Sequence, residues 1–270
     1  MQISVFLFFL LFPSVCGAFS ESKQRCLFPN SIDTTPSDLQ IMQRQTGQSA
    51  PTEAAIGVPS SCNCRHGFPQ AFAMDPMPAS TGRMNSGLIK LTCPLLVNAI
   101  DALEDEGMIS SLNENMERNE YMQRNAKNIH GEHAQIRKEM IVGNDEQMDD
   151  LQRRLGENGA SAFLNSGVAG STLDSLDVKC MHAWMGDYLF RSHDGRGSSS
   201  SSSPLGKAIC EALTEKGVDR NGTLNCNMYC DCKSVLPAAP PNPRNKQRHK
   251  SQKEVARRKR KKDGDFTSKE

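Results

Sequence analysis

The last 34 residues of this 270-residue chain, from Pro237 onward, hold only two large apolar side chains, Val255 and Phe266. A segment with so little to bury cannot offset the entropy of ordering its own backbone. The other end is equally unpromising as core. Residues 3–12 are a ten-residue apolar run, and 19–61 are polar and turn-rich, with eleven Ser/Thr in 43 residues. The chain therefore divides into 1–18, a signal-like segment, 19–61, a disordered segment, 62–235, one globular domain, and 236–270, a disordered tail. The middle stretch of roughly 175 residues is enough for a single core of ordinary size.

A net charge of +1 conceals an asymmetry. Arg244 to Lys262 carries eleven Lys/Arg against one acid, Glu254, so this stretch is +10 and the rest of the chain sums to −9. Its densest run is Arg257, Arg258, Lys259, Arg260, Lys261 and Lys262. Such a segment attracts RNA or another polyanion without sequence preference and releases it as salt rises. No aromatic residue interleaves to stack bases, so the plainer reading is a solvated tail.

The apolar run 3–12 is too short to span a bilayer, which takes about twenty residues. Pro13 breaks it, and Cys16-Gly17-Ala18 offers the small residues that signal peptidase needs, so no stable membrane span is expected after cleavage. The n-region lacks Lys and Arg. A cut after Ala18 exposes Phe19, and this order resembles the bipartite presequence of algae with secondary plastids, in which a transit peptide beginning with Phe follows the signal. The resemblance implies a plastid address. Acids at Glu21, Asp33, Asp38 and Glu53 depart from the acid-poor transit pattern. Asn221-Gly222-Thr223, a glycosylation acceptor pattern, speaks for the alternative of secretion or the endomembrane lumen.

Inside the globular stretch, residues 64–74 read as a turn and a short strand, and Leu88–Leu91 as a second strand. Pro94 in the first helical position opens a helix with Leu95, Leu96, Ala99, Ile100 and Leu103 on one face, ended by Gly107. Residues 110–141 read as a long, mostly exposed helix, in one piece or in two, and 145–155 as another. The Gly/Ser-rich stretch 156–176 reads as a connection, because no Walker lysine or dinucleotide fingerprint accompanies it. Residues 177–190 form a buried helix carrying Trp184, and Pro204 starts a last helix. The fold class is α+β, a mostly helical single domain with a short N-terminal strand pair.

Cys64, Cys93, Cys180 and His182 each stand at the edge of an expected element, where side chains can converge. Three thiols and an imidazole suit tetrahedral zinc, or an iron–sulfur cluster. With no CxxC pair, the competing reading is buried structural thiols. If the backbone at Cys180-x-His182 is extended, both reach one ion; if it is helical they point about 200° apart. Arg65 and Lys179 flank the thiols and would favour thiolate. Cys226, Cys230 and Cys232 form a second cluster suited to metal or disulfide. His66, His130, His133 and His193 read as solvated.

The ordered set Cys64-Arg-x-Gly67-x-Pro69, Leu91-Thr92-Cys93-Pro94, Val178-Lys-Cys-x-His-Ala183 and Pro204-x-Gly206 resembles a bacterial family of uncharacterised proteins, family 501 among the domains of unknown function. The likeness spans about residues 62–215 and implies a single small domain with recurring Cys and His positions, without an assigned reaction. The six-serine run 198–203 and the polar stretch 110–155 depart from it. Three functions follow: a small metal- or thiol-dependent protein centred on the four Cys/His positions, an RNA- or ribosome-associated factor using the tail, and a thiol enzyme with Cys93 as nucleophile at a helix N-terminus and His182 as base.

Overall fold

The computed structural model describes residues 28–47, 52–61, 63–79, 82–142, 144–192 and 203–218. Four short strands, β1 (Ser31–Asp33), β2 (Ala55–Pro59), β3 (Ala71–Met74) and β4 (Ile89–Leu91), pair in sequence order as an antiparallel sheet. Seven helices accompany them among the described residues: α1 (Pro36–Thr46), α2 (Pro94–Asp105), α3 (Met108–Arg118), α4 (Glu120–Val142), α5 (Asp145–Leu164), α6 (Met181–Arg191) and α7 (Pro204–Glu215). The α+β, mostly helical class expected from the sequence is what forms. The expected strand pair is β3 and β4, joined in the register Ala71↔Leu91, Phe72↔Lys90, Ala73↔Ile89.

Strand β3 shows how the layers are set. Successive side chains of a strand face opposite ways. Ala71 and Ala73 join the main core with Ile89, Leu91 and the α6 residues Trp184, Met185 and Leu189. Phe72 and Met74 instead pack with Met42 of α1 and Val58 of β2 in a second cluster. The sheet is thus covered on one face by α6 and its neighbours and on the other by α1. Helix α6 is buried along nearly its whole length, from Trp184 to Arg191. Helix α7 crosses it at Gly206, where an added Cβ would stand 2.3 Å from the Tyr188 Cβ, so only glycine permits this approach.

Two expectations are corrected. The structureless segment expected over 19–61 carries β1, α1 and β2 from Ser31 to Pro59. Thr35, Pro36 and Asp38 there serve as a helix cap rather than as linker. Thr35 caps α1 by accepting from the Asp38 N–H, Asp38 reciprocates toward the Thr35 N–H, and Pro36 opens the helix, the pattern of a capping box. The helix over 110–141 comes in two pieces, α3 and α4, as the sequence allowed, but α4 is not mostly exposed. Ala126, Ile129, His130, His133, Ala134, Arg137, Met140 and Ile141 form a buried stripe at helical spacing. The Gly/Ser-rich connection begins inside α5, which bends at Gly156 and continues to Leu164. No helix among the described residues is long and apolar enough to cross a membrane.

Candidate metal centre

Helix α6 starts immediately after Cys180, which stays in extended backbone (φ −156°, ψ 113°) as the cap, with no hydrogen bond from its side chain to the helix. His182 lies in the first turn. The Cys-x-His spacing therefore straddles a strand-like residue and a helical one, and both side chains reach the same place: the Cys180 Sγ is 3.9 Å from the His182 Nδ1. Helix α2 supplies the rest. Glu104 places Oε1 3.5 Å from the His182 Nδ1, and the same oxygen accepts the Met181 N–H at 2.9 Å. That N–H is among the first of α6, which no intrahelical carbonyl can satisfy. Glu104, Cys180 and His182 are all half-buried, and their ligand atoms lie within 4.8 Å of one another.

The far side of the imidazole is held as well. The His182 Nε2 lies 3.3 Å from the Val97 carbonyl oxygen and 3.4 Å from the Asp101 Oδ1. Val97, Asp101 and Glu104 follow one another at i, i+4 and i+7, one face of α2. A proton on Nε2 donates to this pair of oxygens and leaves the Nδ1 lone pair facing Cys180 and Glu104. Burial pulls the imidazole down, but its contacts with Cys180 and Glu104 outweigh this and raise it to about 10. Without a metal, His182 is then a cation at neutral pH, and the cluster is an ion pair tying α2 to the start of α6.

The expected four-residue set is met in part. Cys180 and His182 come together; Cys64 and Cys93 do not belong to the group that holds them. Cys93 precedes α2 and Glu104 is near its end, about 16 Å further along the axis at 1.5 Å per residue. Both remaining thiols are buried, and Cys93, at 1 % exposure, belongs to the main core. They organise a different junction. The Cys64 N–H donates to the Phe68 carbonyl and the Gly67 N–H to the Cys64 carbonyl, a turn that passes through Gly67 at φ +76°, where glycine is favoured, and Pro69 leads into β3. The Gln70 carbonyl then accepts the N–H groups of Thr92 and Cys93, the Gln70 amide reaches the Cys93 Sγ at 3.9 Å, and the Thr92 hydroxyl donates to Gln45 of α1 at 2.5 Å. Pro94 and Pro204 open α2 and α7. Arg65 and Lys179 are exposed, and the Arg65 Nε donates to His66. Arg257 to Lys262, Cys226, Cys230, Cys232 and His193 lie outside the described residues.

His130 and His133, expected to be solvated, are buried in α4. His130 accepts the Val168 N–H at its Nδ1; burial, aided by His133, lowers it to about 4, so it stays neutral. His133 binds Asp187 at 2.7 Å, and Asp187 also takes the Arg191 Nε at 2.7 Å. Arg191 continues to Glu132 at 2.6 Å. Burial pushes the Asp187 carboxyl up, and Arg191 and His133 more than reverse this. Neither this network nor Glu104 is visible in the sequence motifs. The one available signal was that Asp101 and Glu104 share the helical face of Val97.

A cleft of about 210 Å³ between α5 and residues 77–79 and 82–84 is lined by Met77, Arg83, Glu146, Asp150 and Arg154, none of them in the cluster. Asp150 is already bound by Arg153 and Arg154.

Residues 60–200, more than half of the chain, match the family described as protein of unknown function DUF501. The chain belongs to this family. The matched stretch holds the motifs around Cys64, Cys93 and Cys180-x-His182 of this DUF501 protein; Pro204-x-Gly206 lies beyond it. No curated protein and no solved structure matches the chain.

Proposed function

We propose that this DUF501 protein binds a transition metal, zinc by donor chemistry, through Glu104, Cys180 and His182. The observation that carries the reading is the convergence of three ligand atoms of three zinc-binding types within 4.8 Å. A thiolate and an imidazole select against magnesium and calcium, which take oxygen ligands. A single thiol is too few for an iron–sulfur cluster, which is held by several. Three protein ligands leave a tetrahedral ion one position for water or substrate, the arrangement of reactive rather than closed zinc sites. The imidazole also has the support that metal-bound histidines require, its second nitrogen being held by a carbonyl and a carboxylate. The chain's own part is to bring a helix cap and a helix face together, fix which nitrogen faces the ion, and release the His182 proton when metal binds.

The thiol-enzyme reading changes its nucleophile. The thiol 3.9 Å from the His182 ring is that of Cys180, half-buried, while Cys93 is sealed in the core.

The test is metal content and affinity of the chain from residue 19 to 270. We expect about one equivalent of zinc, lost in Cys180→Ser and in His182→Ala and retained in Cys93→Ser. A folded wild-type protein that takes up no zinc at micromolar concentrations, or one whose zinc survives both substitutions, sinks the proposal.

A further inference from the structure

Residues 28–59 lie before the stretch matched to the family, yet they are built into the domain at three places. Phe28 is 3 % exposed; its ring sits 5.4 Å from Phe190 and 5.1 Å from His133, tilted on one and edge-on to the other. Two residues on, the Asn30 amide donates to the Phe190 carbonyl at 3.2 Å. Strands β1 and β2 then supply half of the sheet: β1 runs against β2 from Ser31↔Pro59 to Asp33↔Gly57, and β2 against β3 at Ala55↔Met74 and Gly57↔Ala73. Lastly, α1 closes the second face, with Met42 fully buried on Val58, Phe72 and Met74. Its Gln45, 4 % exposed, donates to the Pro69 carbonyl at 2.8 Å and accepts from Thr92. The two motif strands are thus fastened together by a side chain from outside the matched stretch.

Each of these contacts has consequences for processing. Removing the chain up to residue 61, as a transit peptide over 19–61 would require, strips Phe72 and Met74 of their cover. It also leaves the β3 edge unpaired and the Thr92 and Pro69 polar groups without Gln45. Buried polar groups that lose their partners are costly, and an open hydrophobic strand edge invites association.

We infer that the leader is cut between Ala18 and Phe28, and that the mature protein keeps Phe28 and the strands and helix that follow it to Pro59. The inference rests on the leader read from residues 3–18 and is independent of the metal site. It makes Phe28 a residue that the mature chain must retain and leaves residues 19–27, nine residues, as the room for a second address after the signal. The described residues of 28–59 are a working part of the domain, with Ser31 opening β1 and Thr35 capping α1.

The experiment is to isolate the full-length gene product from the cells that make it and determine its N-terminal residue by peptide sequencing and intact mass. The expected terminus falls between residues 19 and 28. A chain still beginning at Met1, or one beginning after Phe28, overturns the inference. A second measurement uses the chain from residue 19 with Phe28→Asp. Its urea midpoint should fall clearly below that of the unsubstituted chain, and an unchanged midpoint would show that Phe28 is dispensable and overturn the boundary.

Discussion

Helix α6 carries a polar cluster at each end, and the two are built on opposite plans. At its C-terminal half, Asp187 and Arg191 meet His133 with side chains 0–2 % exposed, under the rings of Phe28 and Phe190. The carboxylate there is bound on one oxygen by the Arg191 guanidinium and on the other by the His133 imidazole. At its N-terminal end, Cys180, His182 and Glu104 are half-buried, and the His182 and Glu104 side chains are 22 % and 25 % exposed. The first cluster is more deeply buried, but its Asp187 and Arg191 charges lie against each other, with the Phe28 ring edge-on to His133. The second brings three ligand types to one point that solvent reaches. Depth of burial marks the cluster that the fold depends on; convergence of donor types marks the one that can take a ligand.

The largest effect should come from attacking the deep cluster. Asp187→Ala leaves Arg191 and His133 buried with their carboxylate gone, and breaking a buried pair in this way costs about 3–5 kcal/mol. Urea denaturation should show that loss, with zinc affinity of the folded protein unchanged. A cost under about 1 kcal/mol, the level of a surface ion pair, would mean that the network is hydrated and that the contrast between the two ends is false.

The next test separates the two jobs of Glu104. Glu104→Gln keeps an oxygen to accept the Met181 N–H but gives up the charge that a zinc ligand needs. Zinc affinity should fall by about tenfold or more, roughly 1.4 kcal/mol per decade. The metal-free protein should lose no more than about 1 kcal/mol, the typical value of a cap. Equal losses in both would make the cluster a helix cap and nothing further.

How far the sequence foretells these regions follows the same divide. Proline at the first helical position announces α2 and α7, and period-3.6 apolar residues announce the face of α2, because these signals are local. Helix α4 reads as exposed because its buried stripe runs through His130, His133 and Arg137. Their burial depends on Val168, Asp187 and Ser166, between 29 and 54 positions away. Strand β1 and helix α1 were lost in a composition that resembles a linker, although Thr35, Pro36 and Asp38 hold the capping pattern. Cys180 and His182 are legible as a pair, but their third partner is 77 positions from Met181, whose N–H it binds, and carries no spacing signal. Cys64 and Cys93 show the limit of residue type as evidence, since a thiol in a core behaves as a small hydrophobe.

Acidity gives the comparison a sign. His182 is raised to about 10 in the metal-free fold, against about 6.5 in an unfolded chain. Its contribution is fully present below about pH 6.5 and is lost as pH rises toward 10. Zinc binding runs the other way, since metal must displace the proton and the thiol must ionise. The metal-free protein should therefore weaken between pH 6.5 and 10 while its zinc affinity climbs. In His182→Ala, which no longer holds the zinc, the fall in metal-free stability over this window should vanish. A zinc affinity independent of pH over this window would place the metal elsewhere.

The smallest effect expected is also the finest test of the N-terminal cluster. Asp101 never touches the three convergent atoms; it lies 3.4 Å from the far nitrogen of His182, and its side chain is 61 % exposed. If its role is to hold the ring so that Nδ1 faces the ion, Asp101→Ala should weaken zinc at the lower end of the range for such outer partners, about tenfold, because the Val97 carbonyl still accepts from the same nitrogen. The urea midpoint of the metal-free protein should shift little, since an exposed partner contributes little to stability. Asp101→Asn, which keeps an oxygen acceptor, should recover much of the affinity. Recovery by Asn ties the effect to ring orientation, whereas an Asn variant as weak as Ala would mean that the carboxylate acts by charge alone and that the Val97 carbonyl by itself sets the tautomer.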